Sequence, residues 1–113
     1  MRRYLLDSGI MGNFINHRRG VDVRVREAQK RGDCIGTGLP VVGELFGGIE
    51  LSVTRDRNMQ RLRQGLDRIL CWPFDLAAAE EYGRISADLR RRGRPMQTVD
   101  VQIAAIALSL VGL

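Results

Sequence analysis

Arg3 to Ile10, RYLLDSGI, decides the fold: a short apolar run through Tyr4, Leu5 and Leu6, a carboxylate at Asp7, a break at Ser8–Gly9, and a resumed apolar pattern at Ile10 and Met11. That order predicts a buried strand, a tight turn and a helix start. In open α/β sheets ligands bind in the crevice beyond the carboxyl ends of the strands, so an acid at Asp7 is placed for chemistry. The competing reading is structural: Asp7 or Ser8 simply caps the helix by accepting its free backbone N–H groups.

Outward from this stretch the pattern repeats. Ile10, Met11, Phe14 and Ile15 recur at helical spacing, predicting a helix from Ser8 to about Asn16. Val21, Val23 and Val25 alternate as in a strand, while Val21, Val25 and Ala28 also share one helical face. The length of the run and its helix-forming end, Glu27 to Lys30, favour helix. Asp33–Gly36 is expected as a second strand, with Thr37 capping a helix that carries Val41, Val42, Leu45 and Ile49. Met59, Leu62, Leu66 and Ile69 mark another helix. Leu70–Phe74 is a third short strand, and an Ala-rich helix follows from Asp75 to about Arg92. Arg90 to Arg94, with Gly93 and Pro95, read as a basic loop suited to phosphate contact. Thr98 caps a last helix whose residues to Leu110 are apolar on nearly all faces, so it is expected to be buried.

Two further acids stand out. Glu44 sits within the helix after the second strand, near its apolar margin, where a carboxylate must be paired, solvated or metal-bound. Asp100 lies in the first turn of the last helix, where the helix dipole alone would account for it. Asp7, Glu44 and Asp100 together, without His or Cys partners, are hard-oxygen donors suited to Mg²⁺ or Mn²⁺ and poor for zinc. Spacing leaves their convergence open.

At 113 residues and 44% hydrophobic the chain has the size of a single domain, residues 1–113. Its net charge of +5 is almost all arginine, Lys30 being the only lysine. Guanidinium groups bind phosphate bidentately, which points to a polyanionic partner, nucleic acid before membrane. Cys34 and Cys71 form no CxxC pair and sit in apolar surroundings, as buried reduced thiols of an intracellular, cytoplasmic protein do. The apolar run near the N-terminus is too short for a signal peptide, and Val99 to Leu113 is too short and too interrupted for a membrane span.

RRYLLDSGI, LPVVGELFGGIELS (39–52) and TVDVQIAAIAL (98–108) together resemble the PIN-domain ribonucleases, most closely the VapC-type toxins of bacterial and archaeal toxin–antitoxin pairs. WPFD (72–75), AAAEEYGRI (77–85) and the Gly–Arg–Pro loop before TVD add to the match, which runs in order over nearly the whole chain. The resemblance implies an α/β three-layer domain with a short central parallel sheet flanked by helices. It implies a Mg²⁺-dependent endoribonuclease neutralised by a cognate antitoxin, with Asp7, Glu44 and Asp100 as metal-binding acids and Ser8 as the small hydroxyl beside the first. Arg91, Arg92 and Arg94 are the expected phosphate contacts, and a homodimer is the expected assembly.

Two departures shape the expectations. Position 9 is Gly where the family commonly has Asn or Ser. Such toxins also continue past the IAAIAL helix into another strand and a fourth acidic or Asn position, whereas this sequence stops at Leu113. The sheet is therefore expected to lack that strand, leaving Tyr4–Leu6 as an apolar edge prone to pairing with another chain. The competing functional reading is a catalytically weakened relative that binds RNA or a partner protein.

Overall fold

The structure is a computed structural model and describes residues 1–111. Its elements follow the order β1 (Arg3–Leu6), α1 (Ser8–Ile15), α2 (Val21–Lys30), β2 (Cys34–Gly38), α3 (Leu39–Glu50), α4 (Arg55–Leu66), β3 (Leu70–Trp72), α5 (Leu76–Arg91) and α6 (Thr98–Val111). The three strands pair in parallel in the order β1–β2–β3, with β2 at the centre. This is the short parallel sheet expected, and among the described residues β1 has a partner on one side only.

Register sorts the two faces. Tyr4 and Leu6 pair with Ile35 and Thr37 on one face, and Arg3 and Leu5 pair with Cys34 and Gly36 on the other. On the first face, Ile35 and Leu6 join a core built from Met11 and Phe14 of α1, Val21, Val25 and Ala28 of α2, and Val41 of α3. The segment 21–30 is a helix because Val21, Val25 and Ala28 are buried while Val23 is half exposed, a stripe that only the helical period produces. On the other face α6 lies over the sheet with α5 packed against it. Close approach there demands glycine. A Cβ at Gly36 would stand 2.5 Å from the Leu70 carbonyl oxygen and 2.7 Å from the Trp72 ring, and one at Gly38 would stand within 2.9 Å of Ile103 and Ile106.

Several boundaries differ from the sequence reading. Strand β2 runs on through Thr37 and Gly38, so Gly38, not Thr37, precedes α3. Thr37 is fully buried and its hydroxyl donates to the Leu6 carbonyl at 2.7 Å, a satisfied cross-strand bond rather than a helix cap. Helix α5 ends at Arg91, close to the expected Arg92, so Arg90 and Arg91 of the expected basic loop lie in its last turn, where cations complement the helix dipole. Helix α6 is not buried all round: Ala105 and Ile106 are inaccessible, but Leu108 is 49% and Val111 78% exposed. Gly112 and Leu113, read as the end of that helix, lie outside the described residues. Cys34 is half-buried and Cys71 exposed rather than enclosed, and both are free thiols. The expected apolar edge is present in part: among the described residues β1 is unpaired on one side and Tyr4 is 36% exposed, while Leu5 and Leu6 are half-buried.

Candidate functional site

Asp7 is the first residue beyond β1, and its Oδ1 accepts the Ile10 backbone N–H at 2.9 Å. The capping reading is thus correct as far as it goes. Asp75, just past β3, caps α5 in the same way through the Ala78 N–H at 2.9 Å, so the cap geometry by itself does not distinguish Asp7 from an ordinary helix start. Both acids leave the same edge, because β1 and β3 run parallel in the sheet. The buried Thr37 hydroxyl holds the last carbonyl of β1, fixing the backbone from which Asp7 leaves the sheet. Ser8 is the exposed first residue of α1. A Cβ at Gly9 would meet Asp7 Oδ1 at 3.7 Å, an ordinary contact, so there is room for the side chain this position lacks.

The direction of α6 locates Asp100. Arg3, at the start of β1, donates through Nη1 to the carbonyl of Leu110 near the end of α6. Ile103 and Ile106 lie against Gly38, the last residue of β2. Helix α6 therefore runs opposite to the strands. From Leu110 back to Asp100 is about 15 Å of helix, longer than the roughly 10 Å that β1 spans. Asp100 thus stands past the carboxyl edge, on the side where Asp7 leaves. The loop that precedes α6 comes with it. Arg91 at the end of α5 and Arg92 and Arg94 after it are all exposed, Arg92 pairing with Asp88 at 3.1 Å while Arg91 and Arg94 make no ion pair among the described residues.

Glu44 belongs to the helix that starts at the carboxyl end of β2, and it is exposed. It lines a cleft of about 410 Å³ between α1, α3 and α4, together with Gly12, Ile15, Asn16, Arg18 and Arg61. Sequence reasoning missed Asn16, Arg18 and Arg61. No local signal singles them out, because positions 16, 18, 44 and 61 meet only when three helices pack.

None of Asp7, Glu44 and Asp100 makes an ion pair among the described residues, despite the arginine excess. Glu27, Asp67 and Asp75 are equally without ion pairs, and Asp75 follows a parallel strand as Asp7 does, so neither feature alone singles out the three. As donors they suit a hard divalent cation in kind. They are not gathered around a common point: among the described residues no group of three or more His, Cys, Asp or Glu side chains stands together as an ion site.

No family model matches the sequence. Over 110 residues it is 34% identical to the tRNA(fMet)-specific endonuclease VapC of Shigella flexneri, covering 96% of this chain and 81% of that protein. Among solved structures, the fold matches DNA-bound VapBC from Salmonella typhimurium with a TM-score of 0.87 at 27% identity, over 97% of this chain and 82% of that one. It also matches VapBC2 from Rickettsia felis, bound to a DNA fragment from their promoter, with a TM-score of 0.90 over 98% of this chain and 83% of that one; at 23% identity this match speaks for the fold alone. A parallel sheet with Asp7 just past the carboxyl end of its first strand, and identity at this level over nearly the whole chain, make it a member of the VapC family of PIN-domain toxins.

Proposed function

We propose that this chain is the toxin of a toxin–antitoxin pair, a Mg²⁺-dependent endoribonuclease of the cytoplasm held in check by its cognate antitoxin. The observation that carries the proposal is 34% identity over nearly the whole chain to a tRNA(fMet)-specific endonuclease, in a chain whose Asp7 leaves the carboxyl end of β1. On this reading the three carboxylates would hold Mg²⁺ or Mn²⁺. When bound, such an ion lowers the pKa of a water and neutralises charge on a scissile phosphate. The chain's own residues orient the parts. The Ile10 N–H holds one oxygen of Asp7, and Ser8, the next residue, is exposed. Arg91 and Arg94, without carboxylate partners among the described residues, supply phosphate contacts beside Asp100, with Arg92 more tightly engaged by Asp88. Association as a homodimer belongs to the same reading and is supported by the free edge of β1.

Asp7→Asn is the decisive variant, because Asn caps a helix about as well as Asp. The variant keeps the fold while removing a metal ligand and a negative charge. Cleavage of an RNA panel that includes an initiator tRNA, in Mg²⁺ buffer, is expected to fall by at least about two orders of magnitude, with RNA affinity equal or higher. Equal cleavage by Asp7→Asn and parent overturns the assignment.

A second reading is a PIN-like module that binds RNA or a partner protein without cutting. It is favoured by one observation, the lack of a gathered acid cluster among the described residues. RNA binding by the parent with no cleavage in either Mg²⁺ or Mn²⁺ would establish it.

A further inference from the structure

The cleft that contains Glu44 carries more than a carboxylate. Its walls come from three helices, and its charged lining is two guanidinium groups, Arg18 and Arg61, and Glu44. Neither arginine has an acidic partner among the described residues, whereas Arg26, Arg31, Arg55, Arg84 and Arg92 all do. Arg61 is nevertheless held. Its Nη1 donates to Asn16 Oδ1 at 3.4 Å, and the Asn16 amide donates in turn to the Gly12 carbonyl at 3.0 Å. That chain of bonds sets the guanidinium at the cleft wall and leaves the rest of its donor fork for a ligand. The floor is open as well: a Cβ added at Gly12 or at Gly48 would meet no atom within 4 Å.

We infer that this cleft is a phosphate-binding subsite for RNA, in which Arg18 and Arg61 grip backbone phosphates of a strand passing Glu44. The inference rests on the ribonuclease reading and deepens it by adding a second set of phosphate contacts, separate from the arginines before α6. Guanidinium groups without carboxylate partners, one of them held by a side-chain amide, suit the two-pronged geometry of a phosphate. The glycines leave room for a backbone to enter.

The test measures binding of a short labelled single-stranded oligoribonucleotide by fluorescence anisotropy in EDTA, over a series of salt concentrations. Single-stranded binding loses about 0.7 of logarithmic salt slope for each phosphate contact removed, so Arg18→Gln/Arg61→Gln should bind more weakly with a slope shallower by about 1.4. Gly48→Leu keeps both charges and fills the cleft, and it should also weaken binding. The pair Arg26→Gln/Arg84→Gln removes the same charge from arginines already engaged by carboxylates and should track the parent. A double cleft variant whose slope matches that of the parent or of the control pair overturns the subsite. So does a variant that binds RNA normally but loses its antitoxin on co-purification, which would give the cleft to that protein instead. If the parent itself neither binds nor cuts RNA, the ribonuclease reading fails along with the subsite. A parent that does both while the cleft variants are unchanged leaves that reading intact.

Discussion

The seam between α1 and α4 and the margin between β1 and α6 are packed to different standards. Where α1 meets α4, Met11 and Leu62 are inaccessible and Phe14 nearly so, and a Cβ at Gly65 would stand 2.8 Å from Ile15. Between β1 and α6 the cover is loose. A groove of about 630 Å³ runs among Met1, Arg3, Tyr4, Leu5, Trp72, Ala107, Leu110 and Val111. Burial in the first region is therefore worth full transfer and packing energy, while apolar residues in the second contribute little to this chain by itself. The comparison separates side chains that hold the fold from side chains that await a neighbour.

The sharpest way to break the contrast is Leu62→Ala in the tight seam. With no exposed surface and close neighbours on α1, the truncation should cost about 2–5 kcal/mol in urea unfolding. A loss below about 1 kcal/mol would mean the seam collapses around the gap and is no better packed than the groove. Next comes Gly36→Ala, at the point where the sheet and Trp72 close on each other. A Cβ 2.5 Å from a backbone carbonyl cannot be relieved by a rotamer change, so a loss of about 1–3 kcal/mol is expected. Thermal unfolding that leaves Gly36→Ala level with the parent would show that β3 shifts freely and that the near side of the α6 layer is loose too. The smallest effect belongs to Leu108→Gln on the outer face of α6, within about 0.5 kcal/mol because the residue is half exposed and Gln is a good helix former. A larger loss that fades on dilution would mean a second copy covers that face in solution.

Much of this was legible in sequence. The strand–Asp–helix order at Arg3–Ile15 and the stripes of α3, α4 and α5 are local signals, because side-chain periodicity follows directly from strand and helix geometry. Thr37 misled because a hydroxyl before a Leu–Pro step has the chemistry of a cap, and only the neighbouring strand reveals that it bonds to Leu6 instead. Helix α6 misled in the opposite sense: apolar composition predicts burial, but burial also needs something to pack against, and composition does not say whether that exists.

The residues themselves determined that the chain alternates strands and helices, that acids follow the first strand and open the last helix, and that its positive charge is guanidinium. These are properties of neighbours along the chain, and periodicity, capping and charge chemistry read them directly. Only the tertiary structure decided that α6 runs against the strands and brings Asp100 to the edge where Asp7 leaves. It alone decided that Asn16, Arg18 and Arg61 share a cleft with Glu44, and that the three acids form no ready ion site among the described residues. The physical reason is that helix direction and inter-helix clefts are set by which faces bury against which, and that choice is made by contacts among residues far apart in sequence.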